Sequence, residues 1–206
     1  MDFAIAAAAK DPIPWNAAGL RGQVAHYAAF AKRFLHADPA FIALSHFNAN
    51  IDNAWFWRDA SGALQCGLFD WQRARPMNLA YALWGGLCGA SLEIWDRHLD
   101  ELLDVFGREF HRHGGPRLDL GELRLHLHLY VATIGLAGLI QAPAIVRSYL
   151  PEAEHAAGPL DPVFHRSEAA RSFLHIFTAF LNLRQTQDFG NSLDRVLARA
   201  ESATGS

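Results

Sequence analysis

The chain has 206 residues, a formal net charge of −3 and a pI near 6.4, which suits one domain with a substantial core and argues against a broad nucleic-acid footprint. Two cysteines, Cys66 and Cys88, are too few for a disulfide framework. Both lie in apolar segments, so each is expected to be a buried thiol in a reducing compartment.

Residues 1–14 begin with an alanine run and end on Asp11-Pro12-Ile13-Pro14, which forbids helix; they are read as a linker or the remnant of a preceding segment. Asp2 stands where a secretory signal carries positive charge, so export by that route is not expected and the predicted location is the cytoplasm. From Asn16 or Gly19 onward, Leu20, Val24, Tyr27, Ala28, Ala31, Phe34 and Leu35 keep helical spacing until Asp38-Pro39 stops it. The apolar run 41–44 then leads into His46-Phe47-Asn48-Ala49-Asn50-Ile51-Asp52-Asn53, a cluster dense in polar side chains.

The aromatic stretch Ala54-Trp55-Phe56-Trp57-Arg58, the turn signal Asp59-Ala60-Ser61-Gly62 and a return over 63–69 predict a β-hairpin. Asn53 and Asp70 fall at its two open ends. Antiparallel neighbours lie about 5 Å apart, so these side chains can share one cation although seventeen positions separate them. A carboxylate between Phe69 and Trp71 would be costly to bury without a cation or hydrogen-bond donors.

Gln72-Arg73-Ala74-Arg75-Pro76-Met77-Asn78 is read as a loop whose arginines face either solvent or a phosphate or substrate. A helix from about Leu79 to Trp84, a break at Gly85-Gly86 and more helix to Trp95 follow. Residues 96–113 form an amphipathic helix closed by Gly114-Gly115-Pro116, and Asp119 caps a helix running to about Gln141. The apolar run from Leu129 to Val146, interrupted by Gln141 and Pro143, reads as a buried helix rather than a membrane span. His111, His113, His126 and His128 lack metal-site spacing or a cysteine partner and are read as core or surface histidines. Residues 151–161 read as a loop, 164–183 and 189–197 as a last helix or pair, and 201–206 as a disordered tail.

The spacing His46-x-Asn48-x-x-x-x-Asn53, followed by Leu68-Phe69-Asp70-Trp71, resembles the aminoglycoside and choline phosphotransferase branch of the protein-kinase-like fold. The loop of that family reads roughly H-G-D-x-H-x-x-N, and its metal-binding acid sits in an I-D-W or I-D-F triplet. The resemblance implies an α+β, mainly helical C-terminal lobe over residues 15–200, with a small hairpin carrying the catalytic-type loop. It implies Mg2+ and ATP, or another nucleoside triphosphate, as cofactors, with Asn53 and Asp70 as metal ligands. His46 and Asn48 take the catalytic-loop positions, Asn50 and Arg73 are assigned to the substrate, and the acceptor is a small-molecule hydroxyl.

Asn48 stands where that family has its catalytic Asp, and Phe47 where it has Gly. An amide cannot take a proton at neutral pH, so Asn48 is expected to orient an acceptor hydroxyl and not to act as the base. Asp52, the nearest carboxylate, occupies a position that is not catalytic in the family loop. Met77-Asn78-Leu79-Ala80-Tyr81-Ala82-Leu83-Trp84 resembles the family's G-D-P-A-Y-D-L-A with both acids replaced. No strand-borne lysine or glycine-rich cover precedes His46, so the resemblance covers the C-terminal lobe alone, and two readings stay open: a lobe that stands by itself, or one whose N-terminal lobe belongs to a longer chain. Two alternatives stay open. One is a pseudokinase, a binding or regulatory module without transfer. The other is an unrelated helical domain in which Asn48, Asn50, Asp52 and Asn53 simply build a turn.

Overall fold

This computed structural model describes residues 28–204 apart from residue 30. The segment 1–14 and the helix positions Leu20, Val24 and Tyr27 lie outside the described residues. The architecture is α+β and mainly helical, with two small antiparallel sheets.

Residues 31–35 are helical, and the chain then turns where Asp38 accepts from the Ala40 N–H (2.8 Å) ahead of the short turn Pro39–Phe41. Four strands follow: β1 Ile42–Ser45, β2 Ala54–Arg58, β3 Leu64–Leu68 and β4 Arg75–Asn78. β2 and β3 make the expected hairpin, with Ala54 opposite Leu68 and Arg58 opposite Leu64. Its turn is built by Asp59, whose Oδ1 accepts from the Ser61 and Ala63 N–H groups at 2.9 and 3.1 Å, while Gly62 adopts φ 83°.

The pairing of β1 with β4, Ile42 opposite Asn78 and Ser45 opposite Arg75, was not expected, since residues 72–78 read as loop. Four-residue strands, one holding Pro76, carry too little alternation to signal pairing. Pairing across this distance clamps the whole segment 46–74 at its base.

Six longer helices follow among the described residues: α1 Leu79–Leu87, α2 Leu92–Arg112, α3 Leu120–Ala137, α4 Ala142–Tyr149, α5 Glu168–Thr186 and α6 Phe189–Thr204. Here the expected boundaries change in three places. α1 runs through Gly85-Gly86 without a break and ends at Cys88, and α2 takes in both the Trp95 segment and the amphipathic stretch after it. Its buried stripe Trp95, Leu99, Leu103 and Gly107 has the four-residue spacing of one helix face. The apolar run from Leu129 to Val146 is not one helix: α3 stops before Gly138, and the axis turns by 43° into the segment containing α4, where Pro143 sits in the first turn. No single described helix is long and apolar enough to cross a membrane.

α3 is the central helix. Asp119 caps it by accepting from the Glu122 N–H (2.9 Å), and it is buried on every side from Leu123 to Val131, His126 and His128 included, except at Arg124. One core joins α1, α2, α3, α5 and α6 with Phe41, and a second, smaller one packs Val146 and Leu150 against Phe164 and Leu174. α6 extends to Thr204, past the start of the polar stretch at 201, and is tied to α3 by Arg199, which grips both oxygens of Glu122 at 2.6 and 2.7 Å.

Candidate functional site

The loop between β1 and β2 is held by its own polar side chains. His46 is buried, and its Nδ1 accepts from the Asn48 N–H (3.2 Å), which leaves its Nε2–H to donate to the Phe69 carbonyl (2.8 Å). This neutral tautomer spans from the loop to the residue before Asp70. The imidazole also meets the Trp71 ring edge-on, with centroids 4.8 Å apart. Asn48 Oδ1 accepts from Asn50 Nδ2 (2.9 Å), and Asn50 Oδ1 accepts from the Asp52 N–H (3.0 Å), which caps the short turn Ile51–Asn53.

Asn53 joins the loop to the hairpin. Its Nδ2 donates to the Asn48 carbonyl (2.8 Å), its own carbonyl accepts from the Phe69 N–H (3.1 Å), and its N–H donates to the Asn50 carbonyl (3.0 Å). With the amide nitrogen so engaged, Oδ1 is the atom left to a cation. Asp70 follows Phe69 with φ 63° and ψ 49°, and among the described residues no other side-chain-bearing residue has positive φ. Asp tolerates this left-handed conformation at a cost of about 1 kcal/mol. The turn aims the chain out of β3 and into Trp71–Arg73, where the Trp71 indole donates to the Leu68 carbonyl (2.8 Å) and Gln72 Nε2 donates to Asp70 Oδ1 (2.7 Å). Asp70 is exposed rather than buried between its aromatic neighbours, so its carboxylate needs no cation to be tolerated.

Four of the six sequence-assigned residues thus fall into one network, and the side chains of Asp70 and Arg73 lie outside it. His46, Asn48, Asn50 and Asn53 are mutually bonded, and His46 and Asn53 both reach Phe69, the neighbour of Asp70. Arg73 ends the turn after Asp70, exposed, and Arg75 opens β4, also exposed. Cys66 is exposed on the uncovered β3, contrary to the buried thiol expected, while Cys88 is buried and its burial raises the thiol pKa. Among the described residues no group of three or more His, Cys, Asp or Glu is placed to hold a metal.

Two features escaped the sequence reading. Gly85, taken for a helix break, is a point of close approach: a Cβ there would sit 2.1 Å from the Phe47 carbonyl oxygen. The double glycine marked the spot, but helical propensity alone gives the wrong reason for it. Gly85→Ala is expected to cost about 1–3 kcal/mol by pushing the loop off α1, while Gly89→Ala, whose Cβ meets nothing within 4 Å, should cost far less. Urea unfolding of the two variants checks the difference.

The second feature is an open cavity of about 590 Å3 over the hairpin, lined by Trp55, Trp57, Gly67, Leu68 and Phe69. Trp57 lies over Gly67, where a Cβ would come within 3.2 Å of its ring, and the two indoles meet edge to face at 6.5 Å. Alternate residues of a strand share a face, so Trp55 and Trp57 lie on one side of the hairpin, with Gly67 opposite Trp55. Three consecutive aromatics in β2, Trp55, Phe56 and Trp57, were the available signal. Compared with family models, curated proteins and solved structures, the chain matches none.

Proposed function

We propose that this chain is a phosphotransferase-like domain related to small-molecule kinases, moving the γ-phosphoryl group of a nucleoside triphosphate to a small-molecule hydroxyl. The observation that carries the reading is the network in which His46 Nε2 and the Asn53 carbonyl both bond Phe69, which holds the backbone just before Asp70 beside the loop that carries Asn48 and Asn53. Hard oxygen donors of this kind suit Mg2+, which takes one or two protein ligands and completes its shell with phosphate oxygens and water. A bound Mg2+ would neutralise charge on the phosphates as the γ-group transfers.

In this reading the aromatic cavity over β2 and β3 receives the base, stacked on Trp55 or Trp57. Asn48 orients the acceptor hydroxyl. The hydroxyl oxygen forms the new bond to phosphorus, the bond to the bridging oxygen breaks, the nucleoside diphosphate leaves, and the hydroxyl proton passes to water because an amide cannot hold it.

Asp70→Asn keeps a residue that accepts the left-handed backbone while removing the charge. It is expected to weaken magnesium-dependent ATP binding at least tenfold by titration calorimetry, as is Asp70→Ala. Unchanged affinity in both would remove the reading. A second reading, a pseudokinase that binds without transfer, is favoured by Asn48, whose Oδ1 already accepts from Asn50. Asn48→Asp separates the two: an enzyme with a blunted loop gains rate, and a binding module does not.

A further inference from the structure

A separate cavity of about 310 Å3 opens between the loop and α5. The loop supplies Asn50 and Asp52 to its lining, and α5 supplies Arg171, Ser172 and His175. The same Asn50 holds Asn48 (2.9 Å), so the cavity begins one side chain away from the residue that would orient an acceptor. His175 Nε2–H is engaged by the Ala90 carbonyl (2.9 Å), which fixes the ring and leaves Nδ1 as its acceptor.

The charges in this lining are opposite and unused. Among the described residues, neither the Asp52 carboxylate nor the Arg171 guanidinium forms an ion pair, with each other or with a third group. A ligand of single charge would satisfy one of them and face the other with like sign. A ligand carrying both charges satisfies both, which is how such a lining discriminates.

Building on the phosphotransferase reading, we propose that this cavity is the acceptor subsite and that its acceptor is a small hydroxylated zwitterion. The cationic group lies on Asp52, the anionic group on Arg171 with the Ser172 hydroxyl beside it, and the ligand's own hydroxyl is directed to Asn48. The guanidinium fork suits a carboxylate or phosphate. At about 310 Å3 the cavity lies at the small end of ligand sites, suited to a ligand of metabolite size.

Three probes isolate the charges: carnitine, with a cation, a carboxylate and a hydroxyl; choline, lacking the carboxylate; and 3-hydroxybutyrate, lacking the cation. Titration calorimetry on the full chain is expected to show carnitine binding at least tenfold more tightly than either of the others. Asp52→Asn and Arg171→Gln should each reduce carnitine affinity tenfold or more, with unfolding midpoints unchanged because both side chains are exposed. Choline or 3-hydroxybutyrate binding as tightly as carnitine, no carnitine binding, or variants that bind it normally would each overturn the proposal. Magnesium-ATP binding is titrated on the same samples. If it persists while carnitine fails, the acceptor assignment is wrong and the phosphotransferase reading stands. If carnitine binds as expected and magnesium-ATP does not, the cavity is a zwitterion site on a protein that is not a phosphotransferase.

Discussion

Asn78→Ala is expected to remove about 3–5 kcal/mol of folding stability, since each orphaned buried partner costs about 1–3 kcal/mol. Asn78 is fully buried at the join of β4 and α1, and its amide serves three elements at once. Nδ2 donates to the Leu35 carbonyl and to His126 Nδ1, both at 2.7 Å, while Oδ1 accepts from the Ala80 N–H (2.9 Å) and so caps α1. Alanine leaves a carbonyl, an imidazole lone pair and a helix N–H without partners, in a site with no access for water. Asn78→Asp keeps the cap and loses both donors, so it should recover only the capping share, about 1 kcal/mol. Urea unfolding at neutral pH measures both. A loss below 1 kcal/mol for Asn78→Ala would show that the network adds nothing beyond packing.

Acid is expected to unfold the protein through the two buried histidines of α3. Burial pushes the pKa of His126 from 6.5 down to about 4, with Glu122 and Asp38 opposing, and burial does the same to His128. His126 lies against the rings of Phe34 and Phe41, at centroid distances of 5.2 and 4.2 Å. Its Nδ1 lone pair is already committed to Asn78. His128 Nδ1–H donates to the Ser192 hydroxyl (2.8 Å), whose own hydrogen goes to the Asp188 carbonyl (3.1 Å).

Both folded pKa values lie below the unfolded one, so between about pH 6.5 and 4 the unfolded chain binds more protons. The stability contributed by keeping these rings neutral is fully present above pH 6.5 and is lost as pH falls toward 4. Each histidine should account for about 2 kcal/mol of lost stability by pH 5. The urea midpoint at pH 5 is therefore expected well below that at pH 7.5, and replacing both histidines by glutamine should flatten most of the difference. An equal midpoint at the two pH values would contradict the burial of both rings.

These two expectations rest on contacts that were illegible in the sequence, and the reason is separation along the chain. Asn78 and His126 are 48 positions apart and His128 and Ser192 are 64 apart; no local pattern marks either pair. Asn78 drew attention instead as the site of a replaced acid, a functional position by resemblance, whereas its work is to join three elements.

What could be read was local. The hairpin followed from the aromatic run 55–57 and from Asp59 three residues before Gly62, and with it came the placement of Asn53 and Asp70 at its ends. The stripe on α2 and the Asp119 cap were equally plain. Gly85 misled because packing against Phe47 outweighs the weak helical propensity of glycine. Cys66 misled because a hydrophobic context in sequence does not guarantee a covering layer in space.

That absent layer bears on how any ligand would be felt. Among the described residues the hairpin is a two-stranded ribbon with no third strand, and Trp55, Trp57 and Leu64 are 69%, 46% and 63% exposed. Such a ribbon is marginal by itself in water, so its order depends on the contacts at its two ends. The observed affinity of a stacking ligand is the intrinsic affinity diluted by the fraction of molecules whose ribbon is correctly paired. Occupancy in turn raises that fraction, so binding at the aromatic face would be seen first as slowed amide exchange along β2 and β3. The two strands that run between Asn53 and Asp70 would then gain order from the same event.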